Sequence, residues 1–282
     1  MIERFLSVEP WPDKALILPR HQAHRGYWRG GEQENTLGAF RSAKAQGALM
    51  FECDVRLSKD KVPVIFHDED LKRLARREDK VSDLTAAELK QFAEAPSLRE
   101  VLTDSQVPRF ANIELKSKQK LDDPLERRVA DIVKELKAES RVMFSSFNPM
   151  SLYRISLHLP DVPRGLLVTP SEDPDNSIFL RKMWLAPFFS FHCLNLDQEM
   201  VTEESMKIWN QRKIPIIVWT VNEADKVQKF LRMGAISVIS DEIQRSSDER
   251  QDQKQNQRKI RQEQNRTGEN SRRKNERRED IP

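Results

Sequence analysis

Eight short runs rich in β-branched and aromatic residues recur along the chain, at 17–23, 49–55, 110–116, 142–147, 165–169, 193–196, 216–221 and 237–240. Helix-like stretches separate them. "NTLGAFRSAKAQG" offers Asn35 as a cap and Gly47 as a stop, "PLERRVADIVKELKAE" carries an apolar stripe, and "EADKVQKFLRMG" again ends at a glycine. Strand–helix alternation produces a mainly parallel sheet covered by helices. Eight units over roughly 230 residues match a (β/α)8 TIM barrel of the α/β class in number and length, with a doubly wound sheet as the competitor.

A ninth strand-like run, 62–67, follows the second one too closely for a parallel crossover, which needs about a dozen residues or more. It returns antiparallel, as a β-hairpin insertion after the second strand. With a two-residue loop at Asp60 and Lys61, His67 falls opposite Asp54, although Lys61 stands where such a turn prefers glycine. Within "FECDVRLSKDKVPVIFHDED", Glu52 and Asp54 share one strand face and Cys53 takes the other. Two adjacent carboxylates repel unless a cation intervenes, and Mg²⁺ or Ca²⁺, which prefer oxygen ligands, would resolve the conflict; a solvated edge strand is the alternative.

The next strand, "FANIELKS", repeats the theme, with Asn112, Glu114 and Lys116 on one face. Glu114 is a candidate third oxygen ligand and Lys116 a fixed positive charge, unless the two only pair with each other. "HRGYWRGGEQENT" closes the first strand with His24, Arg25 and Gly26, at the end of a barrel strand where catalytic groups gather. Arg25 offers a planar fork suited to phosphate, and His24 and His67 are two imidazoles able to exchange protons. His21, His158 and His192 have no matching partners in the sequence.

Composition separates residues 1–244 from 245–282. The last segment holds twelve basic and eight acidic residues, no aromatic residue, and only Ile260 and Ile281 as large apolar side chains. Such a segment cannot bury enough surface to offset its ordering entropy, which predicts a disordered charged tail after a single barrel domain. The remaining 36 basic and 37 acidic residues nearly balance, so the slight basicity of the chain resides in the tail. Its acids dilute any affinity for polyanions; no specific nucleic-acid partner is expected, and peripheral membrane contact through the tail stays open. Two cysteines, no signal-like start and no long apolar run point to a cytoplasmic protein without a transmembrane segment.

These residues resemble the glycerophosphodiester phosphodiesterases. "HRG" at 24–26, "ENT" at 34–36, "ECDV" at 52–55, "HDE" at 67–69, "IELK" at 113–116, "SSFN" at 145–148, "VWTVN" at 218–222 and "ISD" at 239–241 come in the family's order, over about residues 20–243. The resemblance implies metal-dependent hydrolysis of glycerophosphodiesters to sn-glycerol 3-phosphate and an alcohol, a step of lipid metabolism. It implies one divalent ion, Mg²⁺ or Ca²⁺, on Glu52, Asp54 and Glu114. His24 and His67 become the acid–base pair, Arg25 and Lys116 the phosphate holders, and Phe147 and Trp219 aromatic neighbours of the substrate or plain core residues. The chain departs from the family pattern at "KDK", where a glycine is usual, at Ser237, where an acid is usual, and in the short basic "LKRLARRED", which bears on substrate preference. A lysophospholipase D-type activity, with "MWLAPFFSF" serving a lipid chain, and a non-catalytic barrel recruited by its tail are the competing readings.

Overall fold

A computed structural model describes residues 8–13, 15–117, 124–171 and 190–243. The proposed tail, and all of "MWLAPFFSF" except Ser190 and Phe191, lie outside these residues. Among the described residues nine strands form one sheet: β1 (His21–Ala23), β2 (Met50–Leu57), β3 (Pro63–Ile65), β4 (Phe110–Leu115), β5 (Val142–Ser146), β6 (Arg164–Val168), β7 (Cys193–Asp197), β8 (Ile216–Trp219) and β9 (Ser237–Ser240). Eight run parallel, and β1 pairs with both β2 and β9, which closes the barrel. Closure leaves β3 outside, antiparallel to β2. The expected TIM barrel with a hairpin insertion is the observed fold.

The hairpin register differs from the expected one. Val55 pairs with Ile65 and Leu57 with Pro63, so Phe66, not His67, falls opposite Asp54, and its N–H donates to the Asp54 carbonyl at 2.9 Å. The loop has three residues, Lys59 to Lys61, and Lys61 sits in the left-handed region at φ 62°. A two-residue type I′ loop needs two left-handed residues, whereas the three-residue loop needs one. Without glycine the chain takes the loop with the smaller strain, and the Ser58 hydroxyl, which accepts from Val62 N–H at 2.9 Å, holds it.

The first strand is also shorter than its apolar run. Residues 15–20 form an irregular lead-in in which Leu16 is buried and Ile17 is 90% exposed, and Pro19 can donate no ladder hydrogen bond. Leu16 packs with Met50, Met143, Cys193, Ile217 and Ile239 to fill the barrel interior. On the outer side, Cys53 joins Phe40, Phe51, Val55 and Ile113 beneath the helices, as strand alternation requires. Helices α1 (Leu37–Ala45), α2 (Lys72–Ala75), α3 (Ala86–Ala93), α4 (Leu98–Thr103), α5 (Pro124–Glu135), α6 (Pro149–His158), α7 (Glu203–Gln211) and α8 (Ala224–Arg232) occupy the connections. The cap of α1 is Thr36, whose hydroxyl accepts from Ala39 N–H, and not Asn35. Gly47, at φ 98°, follows the helix end as expected. Among the described residues no helix is long and apolar enough to cross a membrane.

His192, without a partner in the sequence, has a structural place. Its Nδ1 accepts from Arg164 N–H at 3.0 Å and its Nε2 lies 3.6 Å from Glu9. Burial, aided by the Arg164 charge, lowers its pKa to about 4. The folded protein therefore binds fewer protons here than the unfolded chain, and stability falls as pH drops from about 6.5 toward 4, by at most about 1.4 kcal/mol per pH unit from this group. Thermal unfolding of His192→Gln should depend less steeply on pH between 6.5 and 5 than that of the parent, and superimposable profiles would contradict this assignment.

Candidate active site

Parallel register places Asp54 of β2 beside Glu114 of β4 and Glu52 beside Asn112. The side chains of Glu52, Asp54 and Glu114 are buried, and one oxygen from each lies within 4.8 Å of the others. Lys116, immediately after β4, places its Nζ 2.6 Å from Glu114 Oε1 and 3.1 Å from Asp54 Oδ1. The Glu114–Lys116 pair thus exists and is shared with Asp54. Deeper in the barrel, Asn112 donates to Gln22 at 3.0 Å and Gln22 donates to Ser237 at 3.0 Å. Ser237, whose hydroxyl also donates to the Pro19 carbonyl at 2.7 Å, completes this neutral polar layer.

The loop after β1 supplies the cationic side. Arg25 and Asn35 both adopt left-handed backbones, at φ 55° and 59°, and Asn35 N–H donates to the Arg25 carbonyl at 2.9 Å. Gly26, at φ 82°, allows the close approach, since a Cβ there would stand 2.7 Å from the Ala39 carbonyl carbon. Arg25 N–H donates to Glu52 Oε2 at 3.1 Å, and its NH1 donates to Glu34 at 2.8 Å. Its Nε lies 3.4 Å from Asp54 Oδ2 and is buried without a hydrogen bond. Asn35 grips Asp54 on two edges, donating to Oδ2 at 2.8 Å and accepting from the Asp54 N–H at 3.3 Å. That role replaces the helix cap as the reason for asparagine.

Each candidate histidine is tied to a carboxylate through Nδ1. His24 Nδ1 lies 2.7 Å from Asp241 Oδ1, which leaves Nε2 3.9 Å from Glu52 Oε2. His67 Nδ1 lies 2.7 Å from Asp68 Oδ1. Asn222 donates to Asp241 at 2.7 Å and accepts its N–H at 2.9 Å. Burial raises the pKa of Asp241, but the bonds to His24 and Asn222 outweigh it and hold the group at about 2. The partners Asp68, Asp241, Glu34 and Asn222 receive no role from sequence reasoning, although they lie inside "HDE", "ISD", "ENT" and "VWTVN". Asp68 stands next to His67 in the sequence; Asp241, Glu34 and Asn222 carried no signal beyond their place in those runs. Phe147 and Trp219, both half-buried, meet edge to face at 5.7 Å, and Trp219 Nε1 donates to the Asn195 carbonyl at 2.8 Å.

Electrostatics separates the two carboxylates of β2. Burial and then the Asp54 and Glu114 charges push Glu52 well above the usual carboxylate range. Burial acts the same way on Asp54, yet Lys116, His67, Arg25 and the Asn35 hydrogen bond hold it well below that range. Lys116 is raised, because Asp54 and Glu114 overcome its burial. Three buried carboxylates against Arg25 and Lys116 leave a deficit of positive charge, and the all-oxygen donor set is of the type that holds a hard divalent cation.

The profile of the glycerophosphoryl diester phosphodiesterase family matches residues 21–245. The chain belongs to this family. It is 30% identical over 247 residues to a glycerophosphodiester phosphodiesterase of Bacillus altitudinis, covering 82% of this chain and 98% of the relative. A glycerophosphodiester phosphodiesterase of Caldanaerobacter subterraneus is 29% identical over 244 residues, covering 81% and 95%. Among solved structures, an Oleispira antarctica phosphodiesterase in complex with the product sn-glycerol 3-phosphate superposes with a TM-score of 0.68 at 25% identity, covering 79% of this chain and 93% of that one. As a glycerophosphodiester phosphodiesterase, the chain is a phosphoric diester hydrolase, and the cluster on β2 and β4 is the described group of acids able to hold a divalent metal.

The raised pKa of Glu52 carries a stability consequence. A carboxyl that prefers its proton when folded contributes stability below about pH 4.5, and that contribution is lost as pH rises toward its folded pKa. In EDTA at pH 8, Glu52→Gln removes the repulsion while its amide oxygen can still accept from Arg25 N–H. Its melting temperature should exceed that of the parent by about 3 °C or more. An unchanged or lower value would contradict the crowding of the three acids.

Proposed function

We propose that the chain hydrolyses glycerophosphodiesters to sn-glycerol 3-phosphate and an alcohol, with one divalent ion, Mg²⁺ or Ca²⁺, held by Glu52, Asp54 and Glu114. The observation that carries this reading is the juxtaposition of those three buried acids with two cations and two carboxylate-bound histidines. When bound, the ion would supply positive charge against the phosphoryl oxygens.

The protein's own groups do the rest. Arg25, whose Nε–H is left without a hydrogen bond, and Lys116 hold the phosphate oxygens and oppose the charge that builds on them. With Nδ1 committed to Asp241 and Asp68, His24 and His67 each keep Nε2 for proton transfer. One removes the proton of the nucleophile, either water or a substrate hydroxyl whose cyclic phosphate water then opens, while the other protonates the departing alkoxide. Phe147 and Trp219 serve as an aromatic flank for the substrate's carbon atoms. We assign residues 1–244 to this catalytic domain, 245–282 to an appended tail, and the protein to the cytoplasm, where its two buried free thiols fit. Glycerophospholipid breakdown products are the expected small-molecule substrates. The complete site argues against a non-catalytic barrel.

Chelation by EDTA is expected to abolish hydrolysis of glycerophosphocholine, and Mg²⁺ or Ca²⁺ to restore it. His24→Asn and His67→Asn should each lose about 10² to 10⁴ in kcat without loss of folding. Glu114→Gln should be inactive at every ion concentration. Full turnover by Glu114→Gln, or by the EDTA-treated parent, would sink the assignment. Preference for lysophosphatidylcholine in the same assay would replace the proposed substrate while leaving the site intact.

A further inference from the structure

Three of the four basic side chains of "LKRLARRED", Lys72, Arg73 and Arg77, are held in ion pairs, and Lys80 just beyond it faces an acid. Lys72 pairs with Glu78 at 2.7 Å, Arg77 with Asp79 at 2.9 Å, and Lys80 lies 3.6 Å from Glu69. Arg73 instead leaves the segment and reaches the barrel. Its Nε donates to Asp68 Oδ2 at 2.7 Å, while NH1 and NH2 donate to the two oxygens of Glu34 at 3.1 and 2.5 Å. Glu34 Oε1 also accepts from Arg25 at 2.8 Å, and Asp68 Oδ1 holds His67 Nδ1. Five hydrogen-bonded groups, His67, Asp68, Arg73, Glu34 and Arg25, thus run from one histidine to the phosphate-facing arginine.

We propose that Arg73 is a positioning residue that sets His67 and Arg25, carried by two separate loops, in one shared geometry. This rests on the function proposed above. The base of Arg73 is firm: Leu71 is fully buried among Val81, Leu84 and Leu89, and its N–H donates to the Asp79 carbonyl at 3.0 Å. A planar guanidinium can meet two carboxylates at once with directed N–H groups, which a lysine ammonium at the end of a flexible stem cannot do with the same definition. Because the Arg73 side chain is 46% exposed, its ion pairs contribute little to stability, and a change here should act on the site more than on the fold.

Asp68, an ionised carboxylate, can only accept, so His67 carries its proton on Nδ1 and presents a bare Nε2 or an Nε2–H in the charged form. Removal of Arg73 frees Asp68 to swing toward solvent, and His67 loses its fixed tautomer. Glu34 then retains Arg25 but no longer shares a common anchor with Asp68.

The test combines glycerophosphocholine hydrolysis, calorimetric melting and ¹⁵N–¹H correlation spectra of the histidine rings in the parent, Arg73→Gln and Arg73→Lys. In the parent, the neutral His67 ring should show the Nδ1–H form. In both variants it should become a mixture of tautomers, with kcat/KM lowered roughly 10- to 100-fold and the melting temperature within about 4 °C of the parent. An unaltered His67 tautomer, activity within threefold of the parent, or a loss accompanied by a larger drop in melting temperature would overturn the proposal. A parent inactive on every glycerophosphodiester would instead sink the proposed function, and the ring spectra would still decide the place of Arg73.

Discussion

The structure turns on the placement of three carboxylates, Glu52, Asp54 and Glu114, in one buried corner of a barrel. Buried charge is costly, and each acid worsens the position of the others. The surroundings offset this unevenly. Asp54 receives Arg25, Lys116 and Asn35 and stays ionised, whereas Glu52 has the Arg25 N–H and little else. The protein thus keeps one corner of its core short of positive charge, and a divalent cation with an anionic substrate is the chemistry that fits it.

Around that corner the backbone is bent to purpose. Arg25 and Asn35 hold left-handed conformations that most side chains avoid, and Gly26 lets the β1 loop lie against the Ala39 carbonyl. The strain is tolerated because each residue is fastened by several bonds: Arg25 to Glu52 and Glu34, Asn35 to both edges of Asp54. The site is therefore assembled by the ends of β1, β2 and β4 together, and no single loop carries it.

Much of this was legible in the residues. Eight β-rich runs became the eight barrel strands, and the alternation of Glu52, Cys53 and Asp54 correctly divided the interior from the helical layer. Local chemistry was harder to read where two explanations fit one residue. Asn35 is a good helix cap by type, yet Thr36 takes that place and Asn35 serves Asp54. The hairpin slipped by one residue because Lys61 could satisfy a three-residue loop with a single left-handed position. Asp68, Asp241 and Glu34 were present in the motifs and Arg73 in the basic segment outside them, but their pairing depends on distances across loops that no local pattern encodes.

The most direct measurement is calorimetric titration of Ca²⁺ and Mg²⁺ into the metal-stripped protein and into Glu52→Gln, Asp54→Asn and Glu114→Gln. A carboxylate corner built to hold a cation predicts one site per chain in the parent, weakened or lost in all three variants. Absence of binding in the parent, or binding that survives all three substitutions, would contradict it.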